Sequence, residues 1–420
     1  MERSSLAIRF MKMIGLIASA YLLFASINYP FRVHSDRIAL KLILTVICLA
    51  SYLWIGKKMA KLTLKQNEII LFMVMSGIVL LEFHIAFKMR LLPTVDLSHI
   101  IDEAGYLLDE GLHEFTDQAY FGSCTNNIPL GILIYWVFKT GRVIGANDDL
   151  LTGGLWNVLL LLWMYVNAYR ILIRVTKKET AIYVMLFVLA NPVCIAYASY
   201  YYTDTVSMAF TVAGLSHMVW GLSEDTKFKR LHLVLGGFLL AFATKVRVTS
   251  CFIIISIVLT LVIYRKLKAF IRSIVFCVIG ALIFSIIWIP LYHYHIPFET
   301  RDTEIPVTHY LMMGANKETS GTYFGPDVDF TKSFSTKEER IQATKEVWIN
   351  RIRTNGILGN IRLILAKEEN VWTEGEKTMN AIHGRRRETA ISNISLLETK
   401  LRFLSLICKH TITRFFSLSF

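Results

Sequence analysis

Apolar runs of about twenty residues recur along this chain, and they limit its fold more than any other feature, because a helix needs about twenty such residues to cross a bilayer. They occupy 10–29, 38–56, 68–88, 151–173, 181–200, 204–222, 231–246, 248–264, 269–291 and 401–418. With 54% hydrophobic residues and a mean hydropathy of +0.48 over 420 residues, the chain is too apolar for an ordinary water-soluble domain. The expected fold class is an all-α polytopic membrane protein. Residues 1–29 have a superficial signal-peptide form, with Ala18-Ser19-Ala20 as a cleavage site. The apolar run continues to Ile27, which favours an uncleaved first helix.

A net charge of +13 raises the question of nucleic acid, but the placement of the charge argues for topology. Lys57, Lys58, Lys61 and Lys65 share one short loop, and Arg170, Arg174, Lys177 and Lys178 share another. Lys227, Lys229 and Arg230 form a third cluster, and Arg265, Lys266, Lys268 and Arg272 a fourth. Short basic loops stay on the cytosolic side. That rule also decides the stretch 127–141. If it crossed the membrane, the eleven basic residues of the three later clusters would be external; if it lies along the surface, only Lys245 and Arg247 break the rule. A surface helix is expected, with a second juxtamembrane helix around Ile100, Ile101, Ala104, Leu107 and Leu108. The domain reading is a transmembrane module over 1–294 with a first external loop at 89–150. An external polar segment follows at 295–400, and a further helix begins within 401–420.

This topology gathers the polar signatures on one face. Asp96 follows Pro93-Thr94-Val95 just past an apolar helix, and a carboxylate at a membrane boundary is a functional candidate by default. Asn126 and Asn127 lie in the same loop, and Tyr202 precedes Thr203-Asp204 at a later helix start. Lys245 and Arg247 are cations on the wrong side for the charge rule, which points to an anionic partner such as a lipid phosphate, or to neutralisation by Asp204 or Asp96. Lys88 and Arg90 are second candidates for a phosphate clamp. Asp102 and Glu103 read as the polar face of a juxtamembrane helix. In the polar segment, His309 sits beside a hydrophobic patch, and Trp372 with Glu374 pairs an aromatic platform with a carboxylate. Ser335-Thr336-Lys337-Glu338 has capping-box form, and the run 321–327 is expected to be a loop. The six cysteines form no metal-ligand spacing or disulfide framework, Cys124 being the one in an external segment. No phosphate-binding loop, dinucleotide fingerprint or zinc-protease motif occurs.

The order of an apolar helix, an external Asp, two juxtamembrane helices and a later Thr-Asp pair resembles the membrane glycosyltransferases of the GT-C superfamily, such as protein O-mannosyltransferases and aminoarabinose transferases. Tyr120-Phe121 with Thr125-Asn126-Asn127, Tyr202-Thr203-Asp204-Thr205, Thr308-His309-Tyr310-Leu311-Met312-Met313-Gly314 and Trp372-Thr373-Glu374-Gly375 are similar to Gram-positive bacterial members. Cys124 and Thr125 stand where those members carry Tyr-Pro. The resemblance implies a GT-C-like helical bundle and a polyprenyl-phosphate sugar as donor. It also implies an active site on the extracytoplasmic face of the cell membrane, with Asp96 in the place of the catalytic aspartate.

On that basis Asp96 is expected to deprotonate an acceptor hydroxyl. Lys245 and Arg247, with Lys88 and Arg90, would stabilise the departing phosphate. Asp204, Asn126, Asn127, Tyr202, His309, Trp372 and Glu374 would orient the acceptor. A lipid monophosphate is a good leaving group, so no cofactor or metal is expected. The partners expected are a lipid-linked sugar donor, the membrane, and a cell-envelope polymer, glycolipid or protein as acceptor, with no nucleic acid. Open alternatives are a polysaccharide polymerase or ligase, a lipid-linked glycan transporter, and an inactive truncated copy, since the GT-C relatives continue with more helices.

Overall fold

A computed structural model describes Met13, Ile17 and residues 38–88, 93, 95–191, 194–195, 197–223, 225–263 and 267–373. The helix expected at 401–418 and, apart from Met13 and Ile17, the one expected at 10–29 lie outside the described residues, as do Arg90 and Glu374.

Every described secondary-structure element is helical. The fold is an all-α polytopic membrane protein. Four helices are long and apolar enough to span a bilayer, namely Leu64–Lys88, Asp149–Val175, Thr203–Leu222 and Phe270–His295. Local signals set their ends. Thr63 and Gln66 bond reciprocally at the start of the first, with the Thr63 amide donating to Gln66 Oε1 at 2.9 Å and the Gln66 amide donating to Thr63 Oγ1 at 3.3 Å. Asp148 caps the second by accepting the Leu151 amide at 2.9 Å.

The spans pack in a chain of neighbours. Helix 203–222 lies between helix 149–175 and the helix Lys229–Val246, which in turn packs on the helix Leu267–His295. Gly237 and Gly280 allow that last approach, because a β-carbon on either would overlap the partner backbone at Cys277 or Val234. Helix 64–88 packs on helix 149–175, where the fully buried Glu82 accepts the Tyr165 hydroxyl at 2.5 Å. That bond answers part of the cost of a carboxyl in a membrane interior.

Two expectations are revised. The apolar run 181–200 does not form one span; the helix Lys178–Leu189 has 12 residues, and a separate 3-10 turn follows at Tyr197–Ser199. Asn191-Pro192 lies between them, and a proline disfavours helical backbone in the residue before it. The run 248–264 forms one apolar helix too short to span, Val248–Ile263, whose first turn is 3-10 at Val248–Ser250.

Helices are present at both of the places expected between the spans 64–88 and 149–175, as Asp96–Asp109 and Ile128–Val143. The first is amphipathic and buries Leu97, Ile100, Ile101, Ala104 and Leu107. The second, at 16 residues, is shorter than a span. Its apolar side chains Ile128, Leu130, Ile132, Ile134 and Phe138 are all enclosed by protein.

Beyond the last span, the helices Val307–Gly314 and Gly325–Lys332 pack on the 37-residue helix Lys337–Thr373, which kinks at Gly356 where φ is 63°. Arg351 ties the unit together, donating to both Asp327 oxygens at 2.7 and 2.8 Å and to the Met312 carbonyl at 2.8 Å. Residues 325–327 are helical rather than loop, with Pro326 in the first turn, where its missing N–H costs nothing. The capping box also shifts by one residue. Glu339 accepts the Thr336 amide at 3.1 Å, while Glu338 pairs with Arg301 at 2.8 Å.

Candidate functional site

Asp96 opens its helix, where the aligned backbone dipoles favour a negative charge. The turn that presents it is strained. Val95 has φ of 53°, a conformation that β-branched residues avoid and that costs about 1–3 kcal/mol.

The residues that surround Asp96 come from three parts of the chain. The Tyr202 hydroxyl donates to Asp96 Oδ2 at 3.1 Å and lies 3.4 Å from Asn127 Oδ1. Asn127, buried, donates through Nδ2 to the Tyr120 hydroxyl at 2.6 Å, and that hydroxyl donates to the Asp96 carbonyl at 3.4 Å. Asn126 Nδ2 donates to Asn127 Oδ1 at 3.1 Å. So Asp96, Asn126, Asn127 and Tyr202, four residues singled out from the sequence, form one connected network.

The environment keeps the phenols and the nearby thiol neutral. Burial, and then the charge of Asp96, raise the Tyr120 and Tyr202 hydroxyls well above the ordinary tyrosine range. Burial pushes Cys124 up to about 11, with Asp96 adding to the effect and Lys332 opposing it. Tyr200 is pushed up to about 12 by burial and by Asp204 and Asp96. Both tyrosines of the pair therefore act as hydrogen-bond donors at neutral pH, and Tyr202 can hold the Asp96 carboxylate in place.

Asp204 and Arg247 form an ion pair, both side chains half-exposed. Of the two sequence readings of Arg247, neutralisation by Asp204 is therefore the one seen in the fold. Lys245 is exposed at the end of helix 229–246, a helix that also packs against the Thr125–Asn127 turn. Lys88 is exposed, with its ammonium 5.7 Å from the Phe87 ring centre. His309 is 1% exposed, and its Nδ1 shares a 2.7 Å hydrogen bond with Thr331 Oγ1. It belongs to the interior of the polar segment, and burial lowers its pKa. Trp372 lies in the last helix, with its side chain outside the described residues.

Several residues at the site were not singled out individually in the sequence. Tyr310 lies next to His309. Although its ring is half-exposed, its hydroxyl is pushed up to about 12 by burial, with Cys124, Asp96 and Glu304 contributing. Thr125 Oγ1 donates to Glu304 Oε1 at 3.1 Å, and Lys337 pairs with Glu304. The Ile305 amide donates to the Ser123 carbonyl at 3.1 Å, so the polar segment is bound directly to the first loop. Within that loop, His99 and Asp117 meet at 3.0 Å, and the His99 ring stacks on Tyr120 at 4.1 Å and 6°. Glu103, read from the sequence as polar surface, is in fact buried and accepts the Asp117 amide at 3.3 Å and the Thr116 hydroxyl at 3.1 Å.

Among the described residues, no group of three or more His, Cys, Asp or Glu side chains is arranged to hold a metal ion. The groups gathered at the site are a carboxylate held by a phenol and flanked by amides, with Arg247 paired to Asp204, and Lys332 acting electrostatically on Cys124.

Residues 6–379 match a family described as conserved hypothetical integral membrane protein, and the chain belongs to that family. No curated protein and no solved structure matches it.

Proposed function

We propose that this member of an integral membrane protein family is a glycosyltransferase that moves a sugar from a polyprenyl-phosphate donor to an acceptor hydroxyl, on the outer face of the cell membrane. One observation supports this reading above the others. A carboxylate at the membrane-boundary end of the bundle is positioned by the Tyr202 hydroxyl and flanked by Asn127, with exposed cations of helix 229–246 and its following turn at the same end.

The chemistry follows from those groups. Asp96 accepts the hydroxyl proton as the acceptor oxygen attacks the anomeric carbon. Tyr202 donates to Oδ2 and so holds the carboxylate in one orientation. The bond from the anomeric carbon to the phosphate breaks with its electron pair, and Lys245 and Arg247 stabilise the charge that collects on the phosphate. Arg247 exchanges part of its contact with Asp204 for the phosphate. Asn126 and Asn127 offer amide donors and acceptors to sugar hydroxyls. One-step displacement inverts the anomeric configuration.

A transporter reading is weaker. Transporters place ionisable groups and broken helices near the midplane in repeated halves, whereas the connected polar network here lies at one end of the bundle. The proposal is tested with the protein in lipid and a panel of labelled polyprenyl-phosphate sugars. Appearance of free polyprenyl phosphate with an inverted sugar on an acceptor supports it; a donor that requires a diphosphate for turnover shifts the assignment to a polymerase or ligase.

A further inference from the structure

His99 is one helical turn after Asp96, so the two side chains share a face of helix 96–109. Its Nδ1 is 3.0 Å from Asp117 Oδ2. A carboxylate can only accept, so the neutral ring carries its proton on Nδ1 and keeps the Nε2 lone pair as a proton acceptor. This is the arrangement in which a carboxylate orients an imidazole base.

Asp117 is itself fixed. Its other oxygen caps the helix Gln118–Ser123 by accepting the Tyr120 amide at 3.1 Å, and its own amide donates to the buried Glu103. The ring is fixed too, by parallel stacking on Tyr120, whose hydroxyl reaches the Asp96 carbonyl. Two elements thus hold one imidazole beside the proposed base, while the ring stays half-exposed to solvent.

We propose that His99, oriented by Asp117, is the proton acceptor that clears Asp96 after each transfer. The inference rests on the glycosyl-transfer reading. In the transfer step the acceptor O–H bond breaks, its oxygen bonds to the anomeric carbon, and the lipid phosphate leaves with the electron pair of the broken bond. The proton goes to an Asp96 oxygen, then to His99 Nε2, and from the exposed imidazolium to water. The exposed ring face opens the way for that proton to leave, while Asp117 holds Nδ1 and leaves Nε2 as the acceptor.

The test is transfer by the full-length protein in lipid, comparing wild type, His99→Ala, His99→Gln and Asp96→Asn, each with and without added imidazole. The relay predicts that His99→Ala loses about 100-fold in kcat with little change in donor KM. Added imidazole then restores about tenfold in His99→Ala and nothing in Asp96→Asn. His99→Gln, which keeps a planar polar group on Tyr120, should be as slow as His99→Ala before rescue. Wild-type kcat in either His99 variant overturns the relay. A loss in both that imidazole leaves unchanged also overturns it, leaving His99 as a prop for Tyr120. Absence of transfer by wild type from every donor overturns the glycosyl-transfer reading, and the relay with it.

Discussion

The Tyr202 hydroxyl donates to Asp96 Oδ2 across 3.1 Å, joining residues 106 positions apart in the chain. Tyr202 stands immediately before the span 203–222 and Asp96 begins the helix 96–109, so the bond ties the start of a membrane helix to the start of the first-loop helix through the site. Its removal in Tyr202→Phe frees the carboxylate to rotate. We expect a fall in kcat of about 10-fold to 100-fold with the donor KM nearly unchanged, as for loss of an interaction made in the transition state. A larger effect on KM than on kcat would assign Tyr202 to substrate binding.

The Arg247–Asp204 pair is half-exposed, so it contributes at most about 1 kcal/mol to stability. Arg247→Ala should therefore leave thermal stability nearly intact while reducing transfer, and Arg247→Lys should recover part of the loss. Asp204→Asn releases Arg247 and should cost less activity than Arg247→Ala. Equal losses in the two would make the pair a structural unit rather than a phosphate clamp.

Cys124 reports on the charge in the cleft. With its thiol pushed up to about 11 by burial and then by Asp96, alkylation should be slow at pH 7–8 and rise steeply above about pH 10, because the thiolate is the nucleophile. In a variant carrying Cys124 as its sole cysteine, Asp96→Asn should move that rise to lower pH. The check is the rate of iodoacetamide labelling against pH.

His309 should affect the stability of the polar segment. Burial lowers its folded-state pKa below the ordinary value near 6.5, while Asp327 opposes that shift. The unfolded chain then binds more protons than the folded one as pH falls below about 6.5, so stability present above that pH is lost on acidification. The thermal transition of the protein should fall between neutral pH and the lowered pKa, and His309→Gln should flatten this dependence. An unchanged slope in the variant would place the acid sensitivity elsewhere.

Transfer from a lipid monophosphate should survive chelation, since the leaving group can be stabilised by Lys and Arg charges. Turnover lost in EDTA and restored by magnesium or manganese would contradict that expectation.

The parts of this structure visible in the sequence were those with a local physical cause. Hydropathy located the four helices long and apolar enough to span, at 64–88, 149–175, 203–222 and 270–295, because the bilayer sets their length. Asp96, Tyr202, Asn126 and Asn127 stood out because polar residues at helix ends carry a desolvation cost that invites explanation, and these four do meet. His99, Asp117 and Glu103 did not stand out, because a hydrophilic loop accommodates such residues without cost. Their roles depend on the loop folding back on helix 96–109. Glu304 and Lys332 were hidden for a different reason. They reach the site from the polar segment, about 180 residues along the chain, as in the bond from Thr125 to Glu304, and no periodicity records contacts at that range. The break in 181–200 was announced by Asn191-Pro192, yet the apolar content on both sides masked it.

The most direct test of the central claim is transfer of labelled sugar from a panel of polyprenyl-phosphate donors by purified protein in lipid, with Asp96→Asn beside wild type. Label should leave the lipid with wild type and be lost at least about 100-fold in the variant, with unchanged membrane insertion. Turnover retained in Asp96→Asn, or no transfer by wild type from any donor, would contradict it.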